Sequence, residues 1–271
     1  MFFPPLTWVL LIIAAVMCAV GFYRFVYFMT SGYGLAVAGI GVGIGVIAVI
    51  NGYVSPAILI LSVLCLIYGL RLGLFLIIRE IKSEAYRKTL AAQTQKPVPI
   101  FVSIVMWIFS AILYVLQVSP VWYRAANYIA GTTDKSEIPA YIGAVIMVAG
   151  ILLESIADKQ KSAAKLINPN MPAMQGLYKL CRCPNYFGEI VFWTGLVISG
   201  VNVVTGWQWI AVALGYITIF AVMINGAKRL ETRHIKNYGD KEEYIKYADT
   251  TPLIFPFIPL YHLAKVDKEK S

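Results

Sequence analysis

The chain has 271 residues, is 59% hydrophobic and only 14% charged, and carries a net charge of +9. A mean hydropathy of +0.71 and several apolar runs longer than about 18 residues exclude a soluble globular protein and leave no length for a separate soluble domain. The four cysteines, Cys18, Cys65, Cys181 and Cys183, lie in apolar runs or on an expected cytosolic loop, which argues against a disulfide framework. Cys181 and Cys183 have the proximity of a metal pair but no second Cys or His pair nearby, so no metal site is assigned.

In chain order, seven apolar runs can be drawn at about 6–23, 33–50, 54–78, 99–122, 139–156, 186–204 and 207–227. Each approaches the 17–25 residues that cross ~30 Å of hydrocarbon. The expected fold is therefore all-α: a polytopic membrane helix bundle of about seven transmembrane helices. The first run lacks a basic n-region and a small-residue cleavage site, so it reads as a span and not as a signal peptide. In the second run the glycines of "GIGVGIGV", Gly39 to Val46, lie within an apolar stretch. No strand and turn surround them, so they predict close helix packing and not a dinucleotide fingerprint. Gly69 and Gly73 form a similar small pair in the third run.

The polar loops fix an orientation. With the C-terminus in the cytosol, the inside segments hold Arg24; Arg79, Lys82, Arg87, Lys88 and Lys96; Lys159, Lys161, Lys165, Lys179 and Arg182; and nine more from Lys228 to Lys270. The outside segments hold only Arg124 and Lys135. The positive-inside rule then places the N-terminus outside and the C-terminus in the cytosol. Trp107, Trp122, Trp207 and Trp209 fall in or near span ends, where aromatic anchors are common.

Four polar clusters stand toward the cytosolic side, where an ionisable group in hydrocarbon must face a cavity or a partner. In "YGLRLGLFLIIR", Tyr68 and Arg71 share a helical face, and Arg79 snorkels at the surface. In "ESIADKQKSAAK", Glu154, Asp158, Lys161 and Lys165 line one face. That face is either a solvated helix end or a site where lysines meet an anion. In "YKLCRCPNYFGE", Pro184 suits a first helical turn, preceded by Lys179 and Arg182 and followed by Asn185, Tyr186 and Glu189. Basic residues at a helix N-terminus make a ready phosphate site. The tail, "KRLETRHIKNYGDKEEYIKYADTTPLIFPFIP", is amphipathic and aromatic. His234 reads as a surface residue. The terminal "PLIFPFIP" is too short to span, so it either lies on the membrane or covers a pocket. Together the clusters describe a cytosol-facing cavity with cationic walls and deeper carboxylates, suited to an anionic nucleotide cofactor and a lipid-soluble substrate.

The stretches "GLYKLCRCPNYFGEIVFWTGL" and "RLETRHIKNYGDKEEYIKYADTTPLIFPF" resemble the steroid 5-alpha-reductase-like membrane proteins. The nearest branch is the bacterial type known as a domain of unknown function (number 1295). The wider superfamily holds sterol reductases, trans-2-enoyl-CoA reductases and isoprenylcysteine carboxyl methyltransferases. The resemblance implies one integral membrane domain over 1–271, with variable N-terminal helices at 1–53 and a reductase-like region at 54–259. It implies NADPH in a cavity of the C-terminal half. By resemblance, Arg71, Asp158, Lys161, Lys165, Arg182, Asn185, Tyr186, Glu189, Glu231, Arg233, Tyr244 and Tyr247 bind the cofactor. Tyr68 and Glu189 are the catalytic candidates, Tyr68 as donor to the substrate carbonyl.

Two departures matter. Cys183 stands where the signature usually has histidine, as it tends to in the enoyl-CoA reductase branch. The second span has no acid, which argues against a classical steroid 3-keto substrate. The expected activity is NADPH-dependent reduction of an activated C=C bond in a hydrophobic steroid-like, isoprenoid or acyl substrate. The alternatives are an S-adenosylmethionine-dependent methyltransferase acting on a membrane-borne acceptor and a non-catalytic lipid-binding protein. A bacterial inner membrane is favoured over the endoplasmic reticulum, with membrane lipids and the substrate as partners and no nucleic acid.

Overall fold

The computed structural model describes residues 3–53, 55–82, 87, 98–131 and 136–264. Among them are eight α-helices and no strand: α1 (Thr7–Cys18), α2 (Ser31–Ile50), α3 (Pro56–Lys82), α4 (Ile100–Ile129), α5 (Ile138–Ile167), α6 (Pro184–Ser199), α7 (Gln208–Tyr238) and α8 (Glu242–Thr250). Single 3₁₀ segments cover Ala19–Phe22, Phe25–Met29 and Gly176–Lys179. Lys88, Lys96, Lys135, Lys265, Lys268 and Lys270, part of the charge count, lie outside the described residues.

Five helices, α2, α3, α4, α5 and α7, are long and apolar enough to cross a membrane. This is a membrane protein. The other two expected spans fall short as helices. The 12 residues of α1 and the 16 of α6 rise only about 18 and 24 Å, against ~30 Å of hydrocarbon. In the first run the chain tightens into 3₁₀ turns after Cys18. In the sixth it turns after Ser199, where Asn202 takes a positive φ of 72°. Conversely, α4, α5 and α7 continue for several residues beyond their apolar runs, because helical hydrogen bonding does not stop at the first charged side chain.

The chain forms two compact units: Met1–Ala144 with Gly195–Tyr216, and Val145–Thr194 with Ile217–Ser271. In the first unit the alternating glycines of α2 divide between two neighbours. Residues four apart share a helical face, so Gly39 and Gly43 face Ile13 of α1, while Gly41 faces Cys65 and the Ser62 carbonyl of α3. At the other end of the same contact, a Cβ on Gly34 would lie 2.7 Å from the Gly69 carbonyl oxygen, and one on Gly69 2.5 Å from the Ala38 amide. Backbones this close are what small residues permit in membrane helix pairs.

On α4, Ser103, Ser110, Gln117 and Arg124 recur every seventh residue and are all buried. Arg124 is fully buried and not a loop cation. Its Nε and Nη2 donate to the Ser199 carbonyl at 3.0 and 2.7 Å, capping the end of α6. Trp122 is likewise not an interfacial anchor. It is 2% exposed, and its indole N–H donates to Thr7 Oγ1 at 2.8 Å. Trp107 donates to the Ala15 carbonyl at 2.7 Å. Trp207, 76% exposed, keeps the rim position expected of an anchor.

In the second unit a Cβ on Gly150 would meet the Phe192 amide at 2.5 Å, and one on Gly188 the Glu154 amide at 2.7 Å. These contacts press α5 against α6 and seat Glu154 beside the residue that precedes Glu189. Both carboxylates are buried, at 3% and 6% exposure.

Gly69→Val is expected to lower stability by about 1–3 kcal/mol through overpacking. Gly73→Ala, whose added carbon finds its nearest neighbour at 3.8 Å, is expected to cost little. Thermal unfolding in detergent, followed by size-exclusion profile, compares the two.

Candidate functional site

Eleven of the thirteen candidate residues fall in the second unit. Its centre is the junction between the Cys181–Cys183 segment and the first turn of α6. Pro184 opens that helix, where a missing N–H costs nothing. Arg182, immediately before it, is 5% exposed. Its Nη2 donates to Glu231 Oε1 at 3.0 Å and to the Tyr261 carbonyl, and its backbone N–H donates to the Pro252 carbonyl at 2.8 Å. Glu231 in turn accepts the amides of Leu263 and Ala264, each at 2.8 Å, on Oε2. Nδ1 of His262 lies 3.0 Å from Glu231 Oε1, and its Nε2 lies 3.0 Å from Asp249 Oδ1. Arg182 and Glu231 form the buried base on which the C-terminal tail is fastened.

Lys165 is similarly engaged. Its ammonium donates to the carbonyls of Pro169 (3.0 Å) and Met171 (2.8 Å) and to the Tyr238 hydroxyl (2.6 Å). It thereby folds the loop after α5 back onto α7. Tyr247 of α8 donates its hydroxyl to the Tyr178 carbonyl at 2.7 Å. The ring of Tyr244 packs edge-on against His234, with centroids 6.2 Å apart, and lies 5.9 Å from that of Tyr238.

His234 is half-buried in this tyrosine cluster, not the surface residue expected. The charges of Lys161, Arg233, Lys165 and Arg182 all reach its ring. Those of Arg233 and Arg229 reach Tyr186. These five cations belong to one unit, together with Asp158, Glu189 and Glu231, and each acts on one or other of the two rings. Nearby in sequence, the side-chain oxygen of Asn185 is buried with no hydrogen-bond partner among the described residues, as is Nε of Arg182. Asp158, 8% exposed, belongs to the same unit, and its charge reaches the Tyr178 hydroxyl.

Burial pushes the Cys183 thiol up to about 12, although Lys161 and Arg182 pull the other way, and pushes Cys181 up to about 11. Both are thiols at neutral pH. Burial likewise raises Tyr178 and Tyr247, keeping their hydroxyls neutral donors.

Tyr68 and Arg71 belong to the first unit. Tyr68 is fully buried, and its hydroxyl shares a 3.0 Å hydrogen bond with that of Tyr33. The Tyr33 ring lies 5.1 Å from that of Tyr114, whose hydroxyl donates to the Phe28 carbonyl at 2.7 Å. Arg71 is half-buried. Further along α3, Glu80 accepts Arg24 Nη1 and the Tyr27 hydroxyl, each at 2.5 Å. Sequence reading missed this cluster, along with the roles of His262, Asp249, Tyr238 and Arg229. Arg24 and Arg229 entered only as inside cations and Tyr238 only as an aromatic of the tail.

The family described as a protein of unknown function, DUF1295, matches residues 33–251. The chain belongs to that family. No curated protein and no solved structure matches it. The DUF1295 match takes in the Arg182 segment, Glu231 and α8, and ends at Thr251, the residue before the loop that Arg182 grips.

Arg182→Met is expected to destabilise the protein by about 3–5 kcal/mol, because it strands a buried carboxylate, whereas Arg182→Met with Glu231→Leu recovers much of the loss. Hydrogen exchange of the 261–264 amides, together with thermal unfolding, reads both effects. The raised thiols set a pH dependence. Their folded-state affinity for protons exceeds that of the unfolded chain, so their contribution is complete below pH 9 and declines as pH rises from about 9 toward 12. Alkylation at pH 8.5 is expected to leave Cys181 and Cys183 unmodified until the protein is denatured.

Proposed function

We propose that this DUF1295 protein is an NADPH-dependent reductase of an activated C=C bond in a hydrophobic substrate, related to the steroid 5-alpha-reductases. The observation that carries the reading is that Lys161, Lys165, Arg182, Arg229 and Arg233 lie in one unit with the Asn185 turn, where their charges act on His234 or Tyr186. The unmatched Asn185 oxygen in the adjoining helical turn supports it. A dinucleotide has this mixture of needs: anionic phosphates at one end and a carboxamide at the other.

In this reading Lys161, Arg229 and Arg233 hold the phosphates. Lys165 and Arg182 join them by exchanging chain carbonyls for phosphate oxygens. Asn185 Oδ1 would accept from the nicotinamide carboxamide, and Glu189 would orient the same group. Bound NADPH would supply hydride to the activated carbon. By the family resemblance, Tyr68 would be the hydrogen-bond and proton donor to the substrate carbonyl, where negative charge develops. Tyr33 orients that hydroxyl through the bond already formed.

The accompanying topology is a seven-span bundle with the N-terminus outside and the cation-rich C-terminal segments in the cytosol. In it α1 and α6 complete their crossings with the adjoining irregular turns. A bacterial inner membrane is the favoured location.

Titration of the detergent-purified protein with NADPH and with S-adenosylmethionine, followed by intrinsic fluorescence, tests the proposal. NADPH is expected to bind, and Asn185→Ala or Glu189→Ala to weaken it roughly 10- to 100-fold, the worth of a hydrogen bond to a buried partner. Binding of S-adenosylmethionine alone would replace the reductase with a methyltransferase. Binding of neither would leave a lipid-binding protein.

A further inference from the structure

The segment Pro252–Leu260, "PLIFPFIPL", contains no polar side chain in nine residues, and three of the nine are prolines. Each proline removes a backbone N–H that would otherwise need a partner away from water. Three of the remaining amides are bonded within the loop: Leu253 N–H to the Leu260 carbonyl at 2.8 Å, Ile258 to Phe255 at 3.2 Å and Leu260 to Ile258 at 2.7 Å. Arg182 holds both ends. Its amide binds the Pro252 carbonyl and its guanidinium the Tyr261 carbonyl.

The two faces of the loop differ. Leu253 and Ile254 are buried at 1% and 0% exposure. The Phe255 ring lies nearly parallel to Phe220, with centroids 6.0 Å apart, and edge-on to Phe187 at 6.2 Å. Phe257 and Ile258 point the other way, 93% and 52% exposed. The position of Phe220 sets the level of the loop. It lies in the apolar part of α7, eight residues before Lys228, the first cation of that helix. At 1.5 Å per residue, that is about 12 Å toward the hydrocarbon. After the polar α8, the chain therefore returns to the depth of a membrane-spanning segment and then comes back to Arg182 and Glu231. Lys228 and Lys236 of α7 and Lys246 of α8, none of them among the cations assigned to the cofactor, are exposed in the same unit, and exposed cations next to an apolar segment attract anionic headgroups.

We propose that Pro252–Leu260 is a re-entrant loop whose Phe257–Ile258 tip inserts into the acyl region of a lipid leaflet carrying anionic headgroups. The proposal concerns how the tail meets the bilayer and stands whether or not the protein binds NADPH.

The test uses the full chain in nanodiscs of mixed neutral and anionic phospholipid, one chain per disc. Spin labels are placed by Phe257→Cys, by Ile258→Cys as an independent tip position, and by Lys246→Cys as the aqueous reference. The unsubstituted chain corrects for its four buried cysteines. Collision with oxygen, which concentrates in hydrocarbon, is compared with collision with a water-soluble nickel chelate. Labels at 257 and 258 are expected to favour oxygen over nickel by several-fold, and the label at 246 to show the reverse. Nickel accessibility at 257 and 258 equal to that at 246 overturns the proposal. So does shielding from both relaxants that appears only with two chains per disc, which would make a second copy the occupant.

Discussion

Hydrocarbon offers no hydrogen bonds, so a polar group that enters it must be matched by another part of the same chain. That constraint accounts for features which in a soluble protein would look unrelated. The Trp122 indole N–H is spent on Thr7, Tyr114 on the Phe28 carbonyl, and Arg124 on the Ser199 carbonyl that ends α6. The last of these places a full charge where no water reaches it and uses it to stop a helix at 16 residues. With no hydrophobic force to draw helices together in lipid, contact depends on how closely backbones approach. Hence glycines meet glycines where α2 crosses α3, and again where α5 meets α6.

The same rule governs the tail. Glu231 is surrounded by donors: a guanidinium, an imidazole and two amides. Arg182 connects that carboxylate to both ends of the Pro252–Leu260 loop. It also stands among the cations that converge on His234. One residue therefore links the fastening of the tail to the segment that opens α6.

Some of this was legible in the residues. The spacing of Gly39, Gly41, Gly43 and Gly45 announced close packing, and period 3.6 is enough to say that alternate members face different neighbours. Other features were hidden. Arg182 and Glu231 are 49 residues apart, and nothing local to either marks the other as its partner. Lys165 reads like any lysine at a helix end, although its ammonium closes a loop. His234 reads as exposed because it follows cations in a polar stretch; the ring of Tyr238, one turn on in the same helix, lies against it, and that of Tyr244 joins only once α8 has folded back.

The sequence by itself determined that this is an all-helical membrane protein of the DUF1295 family with most of its charged residues, of both signs, in the C-terminal half. Hydropathy and charge are summed along the chain, so they survive without knowledge of contacts. Only the tertiary structure decided which apolar runs are long continuous helices, which cations are already held by carbonyls and carboxylates, and that "PLIFPFIPL" turns Phe255 inward and Phe257 outward. Those outcomes depend on pairings between residues distant in sequence, where the geometry of the partner and not the residue type sets the result.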